Sequence, residues 1–155
     1  MVAPFDPVLI NPASLDVRLG NTLLIESAAS PAMVPYPLGD HSEEHPYLLV
    51  PGQFTLAQTV ETFNLPTQVA AEFRLKSSRA REGLDQALAV WADPGWHGSV
   101  LTMELRNNRQ LHAVRLWPGM KIGQMVFHRM SQEPVRSYAE TGRYNNDQSV
   151  QESRG

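Results

Sequence analysis

The chain has 155 residues, a formal net charge of −3, 42% apolar residues and 19% charged ones. That length supports one domain with a proper core, and the charge balance gives no global affinity for a nucleic-acid backbone. The absence of cysteine rules out disulfides, thiolate nucleophiles and cysteine-ligated zinc, and makes the cytoplasm the expected location.

No apolar run reaches the length of a membrane span, and the opening MVAPFDPVLINP lacks the pattern of a signal peptide. Twelve prolines and ten glycines cut the chain into short pieces. Several windows alternate with period two and none holds a long helical period, so the reading is all-β. In NPASLDVRLG (11–20), Leu15, Val17 and Leu19 share one face of a strand. A turn is expected at Gly20-Asn21, with Thr22 to Ile25 continuing the strand. Residues 27–46 read as a loop-rich insertion, because Pro31, Pro35, Pro37 and Pro46 forbid a central strand. His41 and His45 flank Glu43 and Glu44 there. These are metal-ligand types, but the proline and glycine context offers no regular helix to align them, so a solvated loop is expected. Strands follow at 47–51 and 53–63, with a Pro-Gly turn between them, and then at Val69 to Leu75.

The densest chemistry lies between Ala71 and Asn107. Arg74, Lys76, Ser77, Ser78, Arg79 and Arg81 crowd cations and hydroxyls together, a combination suited to a polyphosphate. Ser77 to Gly83 is predicted as a short helical turn capped by Ser77 or Ser78, whose free N–H groups suit a phosphate. Asp93-Pro94-Gly95-Trp96 is a tight turn. The strand Val100 to Leu105 puts Leu101, Met103 and Leu105 on one face and Val100, Thr102 and Glu104 on the other. The pattern leaves two readings of Glu104 open. It is a solvated outer-face carboxylate, or a part-buried one whose raised pKa suits proton transfer. A polar turn at Asn107 to Gln110 precedes Leu111 to Trp117, and Met120 to Met130 is a last core strand. Residues 131–155 form a polar C-terminal arm anchored by Tyr138, Arg143 and Tyr144, with QSVQESRG expected to be disordered when free. His97, His112 and His128 stand alone and read as ordinary imidazoles. There is no Walker loop and no Gly-x-Gly-x-x-Gly fingerprint.

Six segments in this order, NPASLDVRLG, PGQFTLA, LKSSRAREGL, DPGWHG, TMELRN and LWPGMKIGQMVF, closely resemble the dCTP deaminase branch of the dCTP deaminase/dUTPase family. The resemblance implies a distorted jelly-roll fold (β-clip, dUTPase-like) as a single domain over 1–155, and a homotrimer with active sites between subunits. It implies hydrolysis of dCTP to dUTP and ammonia in pyrimidine deoxynucleotide metabolism, with Mg²⁺ carried by the triphosphate and no zinc. Two alternatives stay open: a bifunctional enzyme carrying dCTP on to dUMP and pyrophosphate, and a non-catalytic nucleotide-binding trimer. A pure dUTPase fits less well, because the tail lacks a glycine-rich arm. Further nucleotide partners implied are dUTP and, as an inhibitor, dTTP; neither nucleic acid nor membrane is implied.

By the same resemblance, Glu104 matches the catalytic glutamate, and Ser77 and Arg81 match the pair beside the attacking water. Lys76, Ser78, Arg79 and Ala80 complete the nucleotide loop. Asp93 matches the acceptor for the deoxyribose 3′-hydroxyl, Thr102 and Met103 line the base pocket, and Gln124 matches a phosphate contact. Tyr138 and Arg143 match the tyrosine and basic residue of a closing arm. The sequence also departs from the family pattern. Family members usually open with a further N-terminal helical segment. Leu88 stands where a small hydroxyl residue is common, Arg143 replaces a lysine, and Asp147 replaces a glutamine that touches phosphate. The Arg81 to Asp93 loop is one residue short, and the strand before Glu104 is one residue long.

Overall fold

Eleven strands carry nearly all the regular structure in the computed structural model, which describes residues 1–155. They are β1 (Val2–Ala3), β2 (Leu15–Ser27), β3 (Ser30–Pro37), β4 (Tyr47–Leu49), β5 (Phe54–Asn64), β6 (Val69–Leu75), β7 (Leu84–Gln86), β8 (Trp91–Ala92), β9 (His97–Asn107), β10 (Val114–Leu116) and β11 (Lys121–Arg129). Two α-helical turns, α1 (Ser77–Arg81) and α2 (Tyr138–Thr141), and a 3-10 turn at Pro7–Leu9 complete the inventory. All pairings are antiparallel.

The long β2 joins two layers. Its first residues, Leu15 to Arg18, pair with β11, which continues to β6 and β8. Its later residues, Leu19 to Ile25, pair with β5, which continues to β9 and β7. A twenty-residue apolar cluster lies between the layers, drawing Val17, Phe73 and Met125 from one and Leu23, Phe63 and Met103 from the other. The result is the expected distorted jelly roll, a sheet curled on itself so that few edges stay open. None of its helices is long and apolar enough to cross a membrane.

Three expectations are corrected. Gly20-Asn21 is no turn: β2 runs through it, with a register irregularity against β5. Gly20 fits because the strands approach closely there; a Cβ would lie 2.7 Å from Gln58 Cγ. Residues 27–46 are not all loop, because Ser30–Pro37 forms β3. That strand pairs with β2 alone, so its prolines lie on an edge, where a missing N–H is tolerated. Within the same segment, His41 packs against Tyr36 and Tyr47, and its Nε2 lies 3.1 Å from the Tyr36 hydroxyl. The polar tail is the third correction. Val150 is buried against Leu24 and Leu56, and the backbone N–H groups of Val150 and Gln151 donate to Gln58 Oε1 and Thr102 Oγ1 at 3.0 and 3.2 Å. A single apolar anchor and paired backbone groups hold a segment whose composition reads as disordered.

Candidate active site

β9 positions the central carboxylate. Met103 and Leu105 point into the core and are fully buried, so alternation turns Thr102 and Glu104 to the opposite face. There they line a cavity of about 730 Å³ together with Asp93, Trp91, Tyr138 and Tyr144. Met103 therefore does not reach the cavity, against the expectation that it lines a base pocket. Phe63 pairs with Ser99 and Asn64 with His97, leaving Gly98 as a bulge at φ +67°.

Burial pushes the Glu104 carboxyl above the ordinary carboxylate range, partly offset by Gln86 and its own backbone N–H. Gln86 Nε2 donates to Glu104 Oε2 at 2.7 Å. Asp93 occupies the turn after β8. Its Oδ1 accepts from the Trp91 indole N–H at 2.9 Å, and its carbonyl accepts from the Trp96 N–H at 3.1 Å. The arm docks on the same turn, where the Tyr138 N–H donates to the Pro94 carbonyl at 2.9 Å. Gly95 is required there, since its φ is +89° and a Cβ would lie 3.0 Å from the Ala139 nitrogen. α2 is held by a reciprocal capping box between Ser137 and Glu140. Asp147 also borders the cavity, and an arginine neutralises it: Arg154 pairs with its carboxylate while stacking on Tyr144.

The cationic residues gather elsewhere. Lys76 Nζ and Gln124 Nε2 both donate to the buried Asp16, at 2.8 and 3.2 Å, joined by Asn11 at 2.8 Å and Lys121 at 3.2 Å. Burial alone would raise the Asp16 pKa, but the donors from Lys76, Asn11, Gln124 and Lys121 outweigh it and hold it at about 2. Arg79 pairs with Glu82 at 2.7 Å and lies over the Trp117 ring. Ser77, Ala80 and Arg81 are exposed, and Ser78 is half-buried. No carboxylate lies within ion-pair distance of Arg81. The N-cap of α1 is Lys76, without a side-chain cap, and not Ser77 or Ser78. The serine hydroxyls are thus not spent on the helix end.

Within one chain the cavity holds Asp93, Thr102, Glu104 and Tyr138, but none of residues 76–81, nor Gln124 or Arg143. Gln86, Trp91 and Gln151 adjoin the site without having been singled out by the sequence, while Tyr144 and Asp147 were marked only as an arm anchor and a departure from the family pattern. Only α2 left a signal, the Ser-x-x-Glu pattern at 137–140.

Structural similarity confirms the fold. A 2′-deoxycytidine 5′-triphosphate deaminase from Agrobacterium tumefaciens superposes with a TM-score of 0.65 at 20% identity, over 82% of this chain and 42% of that one. A dUTPase from Streptococcus mutans gives a TM-score of 0.56 at 15% identity, over 84% and 92%. The fold is thus shared with solved dCTP deaminase and dUTPase structures. Among relatives, a protein of Acidothermus cellulolyticus named "dCTP deaminase, dUMP-forming" is 39% identical over 146 residues, covering 88% of this chain and 75% of its own. Another of the same name, from Clavibacter michiganensis subsp. michiganensis, is 39% identical over 150 residues. The family model described as dCTP deaminase-like matches residues 1–130. The chain belongs to the dCTP deaminase-like family.

Proposed function

We propose that the protein converts dCTP and two waters to dUMP, ammonia and pyrophosphate, in sites completed by a neighbouring copy of the same chain. The observation that carries this reading is that Glu104 and Asp93 line one cavity. The names of the relatives favour this product over dUTP.

In the first step Glu104 takes a proton from the water that attacks C4 of cytosine. The C4–N4 bond then breaks, and the proton leaves with the amine as ammonia. Its raised pKa suits a group that must both accept and return a proton. Thr102 borders the base, and Asp93 accepts from the 3′-hydroxyl. In the second step Asp93 orients a water toward the α-phosphorus, and the bond to the β-phosphate oxygen breaks to release pyrophosphate. Ser77 and Arg81 of the neighbouring copy flank the base and stabilise developing charge, while Lys76, Ser78 and Gln124 hold phosphate oxygens. No three ligand side chains of this chain converge on one point, so phosphate oxygens would supply most ligands to Mg²⁺. The bound ion would neutralise triphosphate charge. Tyr138 and Arg143 belong to the arm that closes over the nucleotide.

Product analysis tests the reading. Incubating the protein with dCTP and Mg²⁺ is expected to give dUMP, ammonia and pyrophosphate in equal amounts. Accumulation of dUTP without pyrophosphate would return the reading to a deaminase alone. Binding without any product would leave a nucleotide-binding protein.

A further inference from the structure

Gln86 is the one side chain that hydrogen-bonds the Glu104 carboxylate. It closes β7, is buried to 8% exposure, and sits where the chain turns against β9; the next backbone N–H, that of Ala87, donates to the Glu104 carbonyl at 3.0 Å. Its Nε2 has two acceptors, Glu104 Oε2 at 2.7 Å and the Ala87 carbonyl at 3.0 Å. Its Oε1 is buried without a partner. These contacts fix the amide's orientation. Flipped, it would turn Oε1 toward the Ala87 carbonyl and the carboxylate, oxygen against oxygen. An amide held this way offers only donors to Glu104, and donors favour the ionised form.

We propose that Gln86 is a positioning residue for Glu104: it pins Oε2, keeps the carboxylate ready to act as a base, and leaves Oε1 as the oxygen that receives the proton. This rests on the deaminase reading for the fate of the proton, but the pinning itself does not. The backbone explains why it falls to this residue. Gln86 pairs with Leu105 across β7 and β9, one position beyond Glu104, and its long amide reaches back along the strand. Other titratable groups stand further round the site. Asp93, Tyr138, Tyr144, Asp147 and Glu152 line the cavity, and Asp85 on β7 is occupied by the Gln86 and Asn108 nitrogens. From β5 the residue opposite Glu104 is the apolar Leu56.

The test combines a pH profile with a titration that needs no substrate. In Gln86→Met, which keeps the volume and removes the donor, the acid limb of kcat/KM moves to higher pH. Activity then falls about tenfold on the acidic side and recovers to within about threefold of wild type on the alkaline side. A purely structural role would lower activity at every pH without moving the limb, and that result would overturn the proposal. Carboxyl ¹³C resonances of the full chain read Glu104 directly, and its midpoint is higher in Gln86→Met than in wild type. If that variant does not fold, the wild-type Gln86 amide ¹⁵N resonance decides. It shifts through the Glu104 midpoint and loses that shift in Glu104→Gln; an amide blind to the midpoint sinks the idea. Failure of wild type to release ammonia from dCTP would count against the assigned reaction, whereas an unmoved midpoint in an active enzyme would count against Gln86 alone.

Discussion

Two carboxylates, one buried and one half-buried, make the informative contrast. Asp16 exposes less surface than the half-buried Glu104, yet its pKa falls to about 2, while that of Glu104 rises. Burial penalises charge in both. The two also differ in the donors they meet: Asp16 receives two ammonium groups and two amides, Glu104 one amide and its own backbone N–H. Asp16 is locked as an anion and serves as an anchor for Lys76 and Gln124. Glu104 stays within reach of protonation, the condition for moving a proton. The molecule thus separates an inert carboxylate that organises cations from a responsive one that faces a cavity.

The largest effect is expected at the responsive carboxylate. Glu104→Gln removes the base and lowers ammonia release by about 10³-fold. The same change raises the melting temperature at neutral pH. Because the folded pKa lies above the unfolded one, the ionised form is disfavoured by folding, and an uncharged amide escapes that penalty. The gain shrinks as pH falls through the Glu104 midpoint. Turnover near wild type in this variant would break the contrast outright.

Next comes the separation of cavity and cradle. Glu104→Gln and Arg81→Ala are each expected to be inactive alone. Refolded as an equal mixture, they are expected to recover roughly a quarter of wild-type activity, the fraction of neighbour pairs that unite the two intact halves at random. No recovery would mean that a single chain builds the whole site.

Asp16→Asn probes the inert carboxylate. Its folded pKa of about 2 lies below the ordinary aspartate value of 3.8. Its stabilising contribution is therefore present above about pH 4 and is lost as pH falls toward about 2, and amounts to about 2 kcal/mol. Denaturant melts of the variant and wild type should differ by that amount at neutral pH and converge in acid. A difference constant across pH would assign the effect to packing.

Much of this contrast was legible in the sequence, and the reason is periodicity. Alternation in residues 100–105 already put Glu104 opposite Met103 and Leu105, and the proline and glycine positions marked most turns. What escaped was contact between distant segments. Nothing near Asp16 signals that Lys76 and Gln124, 60 and 108 residues away, converge on it. The three residues of β7 are too short for a period, so Gln86 passed unnoticed. The prolines of residues 27–46 suggested loop, because local propensity cannot say that a strand lies on an edge. In the tail, one valine outweighed a polar composition.

The smallest expected effect concerns how the second cavity carboxylate is held. The Trp91 indole donates to Asp93 Oδ1, and its ring packs against His128 with centroids 5.5 Å apart. Trp91 is 55% exposed, so this hydrogen bond competes with water and is worth about 0.5–1 kcal/mol. Trp91→Phe keeps most of the ring contact and removes the donor. It should therefore raise KM for dCTP about threefold with kcat nearly unchanged, because Asp93 meets the sugar in the ground state as well as the transition state. Asp93→Asn should cost far more, and in pyrophosphate release more than in ammonia release. A Trp91→Phe enzyme with wild-type KM would show that Asp93 needs no help from its neighbour. An equal fall in both products for Asp93→Asn would confine that carboxylate to binding the sugar.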